Sequence, residues 1–378
     1  MSCDESDNNS TSNGSTGAKI VASDGSEDDR FGSSVSISGD YVIVGTENAE
    51  AVYIYHRTEA NIWDSGFEIA NPNAESNDYF GRSVSISGDY AIVGAFNAAS
   101  QDGIAYIYHR THTNTWELDE EILSPDRLGS QFGSSVSIDG DYAIVGAANA
   151  PGVENNTGAA YIYRRTGTNT WDTGQKIFAD DGASNDCFGT SVSINGAYVI
   201  VGAELENEKG EYAGAAYIFH RTGENTWDAG VKIVASDGGA EDRFGFSVSI
   251  YGDYAVAGSY GQDEQGSNAG AAYIFHRTGT NTWDAGQKIT ASNAESSDKF
   301  GKSVSLYGEY VIIGAENADT AYIFHRTDTG TWDEERIINQ NNNAFGSSVS
   351  ISADYVIIGA DDEYSGASEV GAAYIYSY

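Results

Sequence analysis

The chain has 378 residues, a formal net charge of −37 and an apolar fraction of 40%, with 45 glycines and three prolines. A chain this acidic repels nucleic acid and anionic membrane surfaces, which argues against both as partners. No apolar run is long enough to cross a bilayer, and two cysteines cannot form a disulfide framework. The acidic excess has three interpretations: divalent-cation sites, adaptation to salt, or solubility alone.

The first 16 residues carry no apolar side chain after Met1 and are expected to form a disordered tether. Cys3, followed by a polar stretch, is similar to the mature start of a bacterial lipoprotein, which suggests lipid attachment at this residue. The alternative is a plain flexible terminus with a free thiol. Residues 17–378 are expected to form a single domain.

A Phe-Gly pair opens the same phrase seven times in that domain, at intervals of 45 to 56 residues. The pairs begin at Phe31, Phe80, Phe132, Phe188, Phe244, Phe300 and Phe345. A period of this size is typical of a closed or stacked repeat architecture. A residue that recurs once per repeat is therefore interpreted first as part of the scaffold.

Each repeat predicts four short strands, A to D, separated by turns rich in Gly, Asn and Asp. Strand A alternates Ser with Val or Ile, which suits an innermost strand where the sheets crowd together. Strand B is apolar at consecutive positions, so both of its faces should be buried. Strand D is the shortest and most polar, as an outer edge should be.

The two ends of the chain indicate how the repeats close. The last repeat stops after strand C at Tyr374–Tyr378, whereas Ala18–Ala22 form a strand D that has no A to C of its own. The orphan strand can complete the open sheet. The sequence therefore predicts an all-β, seven-bladed β-propeller with four antiparallel strands per blade, closed by the N-terminal strand in the last blade.

The phrases Phe-Gly-x-Ser-Val-Ser-Ile, Val-Ile-Val-Gly-Ala and Gly-Ala-Ala-Tyr-Ile-Phe resemble the FG-GAP repeat over nearly all of Ala18–Tyr378. That family builds the propeller at the head of integrin α subunits and of bacterial surface proteins, so the resemblance implies an extracellular binding module. The family's usual calcium loop between strands A and B is replaced here by a tight turn such as Ser38-Gly39-Asp40. Kelch repeats are the runner-up, and the Trp-Asp pairs invite a WD-repeat interpretation that the long period disfavours.

Five histidines share one position at the end of strand C, and six tryptophans precede strand D. Blades turned successively around a ring cannot bring those histidines, namely His56, His109, His220, His276 and His325, to one ion. The tryptophans are expected to pack between blades, with sugar stacking as the alternative.

The loop from strand D to the next strand A carries a recurring pair of oxygen side chains. An Asp stands two residues before the Phe, and an Asp or Asn stands seven before it. The pairs are Asp24 and Asp29, Asn73 and Asp78, Asp181 and Asp186, Asp237 and Asp242, and Asn293 and Asp298. They predict either turns in which each side chain caps backbone amides or low-affinity calcium sites. The copies at Phe132 and Phe345 lack both members.

The loops from B to C differ in length and emerge on the same face as the D-to-A loops, so they mark the expected recognition surface. Candidate ligand-binding residues on this face are Asp102, Glu154, Glu206, Glu208, Asp263, Glu264, Asp361 and Asp362. This acidic rim suits a cationic or metal-bridged ligand, while solvated loops without a partner are the alternative.

No group of catalytic residue types breaks the repeat, so we expect no enzyme activity. The expected function is an extracellular or cell-surface adhesion module, monomeric and integrin α-like, that binds a protein through the loop face. The alternative is a carbohydrate-binding propeller lectin. Calcium is the one cofactor expected.

Overall fold

The structure is a computed structural model that describes residues 17–73, 77–126, 129–154, 156–340, 343–365 and 368–378. The expected tether at 1–16, with Cys3, lies outside these residues. The described strands form seven antiparallel blades, each with the order A-B-C-D, and one separate two-stranded hairpin. Neighbouring A strands touch all around the ring, which confirms A as the innermost strand and the propeller as the fold.

We number the blades 1 to 7 from the first Phe-Gly pair, and the strands in chain order from β1, Ala18–Ile20. Blade 1 comprises β2 Ser34–Ser38, β3 Tyr41–Gly45, β4 Ala51–Glu59, β5 Ile62–Trp63 and β6 Phe67–Ala70. Blade 2 comprises β7 Phe80–Ser87, β8 Tyr90–Ala95, β9 Ile104–His112 and β10 Thr115–Leu123, with a single helical turn α1 at Ala98–Gln101. Blade 3 comprises β11 Phe132–Asp139, β12 Tyr142–Ala147, β13 Ala159–Gly167, β14 Thr170–Trp171 and β15 Gln175–Ile177.

Blade 4 comprises β16 Phe188–Asn195, β17 Tyr198–Ala203, β18 Ala215–His220 and β19 Val231–Ile233. Blade 5 comprises β20 Val248–Tyr251, β21 Tyr254–Ser259, β22 Ala271–Gly279, β23 Thr282–Trp283 and β24 Gln287–Ile289. Blade 6 comprises β25 Phe300–Tyr307, β26 Tyr310–Ala315, a 3₁₀ turn at Glu316–Ala318, β27 Thr320–Arg326 and β28 Trp332–Asn339. Blade 7 comprises β29 Phe345–Ile351, β30 Tyr355–Ala360, a small hairpin of β31 Tyr364–Ser365 and β32 Ser368–Glu369, and β33 Ala372–Ser377.

The ring closes where the sequence predicts. β1 pairs with β33 as the outer strand of blade 7, in the register Ala18↔Ile375, Lys19↔Tyr374 and Ile20↔Ala373. Ile20 is 7% exposed and packs in the cluster between blades 7 and 1. The N-terminal strand therefore seals the propeller by both hydrogen bonding and apolar burial.

The serines of strand A explain how the blades are joined near the axis. Ser36 Oγ accepts a hydrogen bond from Ile86 N in the next blade at 3.1 Å, and Ser34 Oγ donates to Gly81 O at 2.6 Å. The equivalent bonds recur at every blade boundary, including Ile37 N to Ser350 Oγ and Ser348 Oγ to Gly32 O across the seam. Small hydroxyl side chains are needed here because they satisfy backbone groups where the sheets converge.

The Phe-Gly pair fills the tightest part of each blade. Phe31 is fully buried and packs against Tyr53 of its own blade with ring centroids 5.6 Å apart. Gly32 has a φ of +98°, and a Cβ there would lie 2.3 Å from Ala372 O in the neighbouring blade. Only glycine fits such a close approach of two backbones.

Among the described residues, no helix is long and apolar enough to span a membrane.

Candidate functional site: the loop face and its axial cavity

The two faces of the disc differ in how closely the repeats resemble one another. The D-to-A and B-to-C loops share one face, here called the loop face, where Asp28 N donates to Glu369 O and Asn97 N to Asp78 O. The A-to-B and C-to-D turns share the opposite face, here called the turn face. Recognition is expected on the face whose loops differ from repeat to repeat.

The turn face is built from one set of contacts that most blades repeat: an arginine pairs with an acidic residue of its own blade and lies over a tyrosine of the previous blade. In blade 3, Arg165 pairs with Asp141 of its own blade, and its guanidinium lies 4.5 Å from the ring centroid of Tyr90 in blade 2. Trp171 meets the same Tyr90 edge-on at 6.2 Å. The corresponding ion pairs of other blades are Arg57 with Asp40, Arg110 with Asp89, Arg277 with Asp253 and Arg326 with Glu309. These contacts confirm packing between blades as the role of the tryptophans.

The histidines beside those arginines are also structural. His220 lies 4.7 Å from Tyr198, ring to ring, and His276, His56 and His325 stack in the same way on their own blades. His109 instead pairs with the buried Asp119 at 2.5 Å. In the part of the chain that the structure describes, no three His, Cys, Asp or Glu side chains are arranged to hold a metal.

In five copies, the loop-face residue seven before the Phe binds a tyrosine of strand C. Asp237 Oδ1 accepts from Tyr273 OH at 2.7 Å, while its Oδ2 lies 2.7 Å from Lys288 Nζ. Burial alone would raise the pKa of Asp237, but the bonds from Lys288 and Tyr273 outweigh it and lower that pKa. Asp24, Asp181 and Asn293 likewise accept from Tyr53, Tyr217 and Tyr322. Asn73 contacts Tyr106 in the opposite sense, because its Nδ2 donates to the tyrosine OH at 2.7 Å.

The Asp two residues before the Phe caps its own loop in the four of these five copies whose loops the structure describes throughout. Asp242 Oδ2 accepts from Gly239 N at 2.8 Å, and burial raises the pKa of this carboxyl. The matching bonds run from Ser26 N to Asp29, from Ala183 N to Asp186 and from Glu295 N to Asp298. In the fifth copy residues 74–76 lie outside the described residues, and Asp78 accepts from the Asn71 side chain at 3.1 Å. This geometry is the turn capping that one interpretation of the sequence described; calcium coordination at these ten residues stays a prediction.

Two features of this site escaped the sequence reasoning. Asp126, six residues before Phe132, hydrogen-bonds Tyr161 and pairs with Lys176, so blade 3 does have the contact that a strict offset of seven assigns to no residue. The second feature is the strand D lysine, which reaches under the loop in blades 3, 4 and 5. The available signal was a correlation between repeats. Asp faces the tyrosine where strand D offers Lys176, Lys232 or Lys288, and Asn73 and Asn293 do so where it offers Glu121 or Ile337. Blade 1 is the exception, because Asp24 faces Tyr53 where strand D offers Glu68.

The acidic B-to-C residues divide by exposure and contact. Glu154, Glu208, Asp263 and Glu264 are exposed, Asp102 and Asp362 are half-buried, and Glu206 and Asp361 are buried. Several already have partners: Asp102 accepts from Gly129 N at 2.8 Å, and Lys232 lies 3.1 Å from Glu206 and 2.9 Å from Glu208. The exposed group forms the outer rim of the loop face.

At the centre of the loop face, the blades enclose an axial cavity of about 590 Å³. The residue after each Phe-Gly pair lies at its wall. Unlike the pair itself this residue varies, as Ser33, Arg82, Ser134, Thr190, Phe246, Lys302 and Ser347. Cys187 also lines the cavity, and burial together with Glu204 and Asp186 raises the pKa of its thiol to about 11. The cavity wall is therefore where the repeat is least symmetrical.

Seven repeated sheets and a variable loop face define the class of a repeat-built propeller with one specialised end. The family model described as the FG-GAP repeat matches residues 15–55, 63–108, 116–163, 171–219, 227–275, 283–325 and 339–376. The chain belongs to the FG-GAP repeat family, as the sequence predicts. Such propellers typically serve as binding modules without catalytic activity. A search of curated proteins finds no match to the chain.

Proposed function

We propose that the chain is a non-enzymatic module of the cell exterior that binds a protein ligand through its loop face. The observation that carries the proposal is the contrast between the faces. The turn face repeats one set of arginine contacts, whereas the B-to-C loops differ in length and carry the exposed carboxylates of Glu154, Glu208, Asp263 and Glu264. Variable loops on a rigid scaffold are where proteins place recognition.

Internal bonds hold these loops in shape, which favours binding. In blade 4, Gly214 N donates to Glu206 O at 2.9 Å, and Tyr212 N donates to Asn207 Oδ1 at 2.8 Å. In blade 5, Asp263 Oδ1 accepts from Asn268 N at 2.7 Å. A preorganised loop loses less conformational entropy on binding. The exposed carboxylates suit a ligand with a basic patch.

The test is binding of the purified chain to arrays of cell-surface and matrix proteins and, in parallel, to a glycan array. We expect a protein hit whose affinity falls at least about tenfold in the triple variant Glu208→Gln, Asp263→Asn, Glu264→Gln, because several rim charges act together. Asp328→Asn, on an exposed C-to-D turn of the turn face, is the matched control and should bind like wild type. Reproducible sugar binding without a protein hit would favour the lectin alternative instead.

Calcium at the D-to-A loops is a separate proposal, and the loop with Asp24 and Asp29 is its strongest position. There the strand D residue opposite Tyr53 is Glu68 rather than lysine, so no strand D ammonium group of the described residues pairs with the carboxylates. Millimolar calcium, the range of extracellular modules, should raise the melting temperature of wild type more than magnesium does. Asp24→Asn should abolish that difference. Equal melting temperatures of wild type in both salts would remove calcium from the proposal.

A further inference from the structure

Charged side chains at the axial cavity are almost all neutralised in pairs. Arg30 Nη1 lies 3.0 Å from Glu47, which also pairs with Arg82 from the next blade. Across the cavity, Arg243 lies 3.1 Å from Glu204, and Lys302 pairs with Glu316. Paired charges at a cavity wall leave little net attraction for a ligand ion.

Asp361 departs from this pattern. It lies at the cavity wall in blade 7, is 8% exposed, and its Oδ1 atom makes no hydrogen bond to the described residues. No basic side chain of those residues comes within 4.0 Å of it, since Arg30 reaches the neighbouring Asp362 instead, at 3.6 Å. A buried carboxylate that has an unsatisfied oxygen and no ion-pair partner is costly to maintain.

A second unpartnered group lies at the same place. Ser347, the variable residue after the Phe-Gly pair of blade 7, has a buried hydroxyl without a hydrogen-bond partner among the described residues. Ser347 offsets part of the rise that burial causes in the pKa of Asp361, but Ser347 Oγ and Asp361 Oδ1 each lack a well-formed hydrogen bond to the described residues. Glu316 and Asp362 add negative potential around the pair.

We propose that Asp361 and Ser347 form a subsite of the axial cavity that binds the primary ammonium group of a small molecule. An ammonium group supplies a positive charge within ion-pairing distance of Asp361 and N–H donors for both unpartnered oxygens. The cavity volume of about 590 Å³ falls within the range of small-molecule sites. This activity is distinct from protein binding by the outer rim, because it uses the axis of the propeller and different residues.

The experiment is isothermal titration of the full chain at pH 7.5 with n-butylammonium and 1,5-diaminopentane. Butanol and potassium chloride at equal ionic strength serve as the uncharged and inorganic controls. We expect saturable millimolar binding of both amines and no binding of butanol. Asp361→Asn should weaken amine binding at least about tenfold, the scale of one charge-assisted contact. Ser347→Ala should weaken it by a smaller factor.

Asp180→Asn removes an exposed acidic residue from a D-to-A loop of the same face, outside the cavity lining, and should bind the amines like wild type. Absence of amine binding by the wild-type chain, or equal affinity in the wild-type and Asp361→Asn proteins, would overturn the proposal. Neither result would affect the rim-dependent protein binding proposed above, which has its own variants.

Discussion

The ammonium group of Lys232 lies 2.8 Å from Asp181 Oδ2, and so joins the outer strand of blade 4 to the loop that precedes that blade. The same lysine reaches Glu206 and Glu208 of the B-to-C loop, so a single cation joins three acidic residues. Burial would lower the pKa of Lys232, but its carboxylate partners outweigh burial and raise it. The lysine is therefore charged at neutral pH.

Lys232→Met should destabilise the protein because it leaves those carboxylates without their cation. We expect a loss of about 2 kcal/mol in the free energy of unfolding, less than for a fully buried pair because two of the partners are half exposed. Urea denaturation measures the change. Lys209→Met, an exposed lysine in the same blade, should change stability by less than about 0.5 kcal/mol. Equal effects of the two variants would contradict the bracing role of Lys232.

The seam between blades 7 and 1 should depend on one apolar residue of the N-terminal strand. Ile20 is 7% exposed whereas Val21 beside it is 44% exposed, so the two form a matched pair. Ile20→Ala should cost about 2 to 4 kcal/mol through lost burial and the cavity left behind. Val21→Ala should cost less than about 0.5 kcal/mol. Thermal melting of both variants tests the closure. A melting temperature of Ile20→Ala equal to that of wild type would show that the burial of Ile20 does not stabilise the seam.

Stability should depend on pH through Asp361. Burial, with the negative charges of Asp362 and Glu316 nearby, raises the pKa of this carboxyl from 3.8 to about 6. Ser347 offsets part of that rise. The Arg30 guanidinium also faces Asp361 and Asp362. A carboxyl with a raised pKa in the folded state costs nothing below pH 3.8, and its full cost is reached as the pH rises through about 6. The gap corresponds to about 3 kcal/mol.

Asp361→Asn should therefore stabilise the protein at pH 7.5, and the advantage should shrink as the pH falls towards 4. Melting temperatures of wild type and variant at several pH values give the comparison. Asp328→Asn, exposed on the turn face, should show no such trend. An advantage for Asp361→Asn that is constant with pH would mean that the carboxyl does not carry the expected burial cost.

The correlation between loop carboxylate and strand D lysine can be tested by moving it to another blade. Asn73→Asp places a charge beside Glu121 in blade 2 and should cost about 1 kcal/mol through like-charge repulsion. Adding Glu121→Lys recreates the arrangement of blades 3 to 5 and should restore stability. A double-mutant cycle should give a favourable coupling of at least about 0.5 kcal/mol. Purely additive effects would contradict electrostatic matching.

The sequence predicted most of the architecture because the repeat makes each element visible seven times. Alternation of Ser with apolar residues placed strand A at the axis, and the unmatched Ala18–Ala22 predicted the seam. The candidate site was less accessible. Asp126 was missed because a shorter loop shifts its offset from Phe132 by one residue, although its contact with Tyr161 is the same.

By itself the sequence determined the number of blades, their strand order and the closure of the ring, since these follow from local pattern and period. Only the tertiary structure decided which carboxylates are satisfied. Lys232 and Asp181 are 51 residues apart, and Asp361 faces an axial cavity whose wall comes from all the blades. Such contacts depend on how loops from neighbouring blades pack together. The sequence of one repeat therefore does not specify the distances between side chains of different blades.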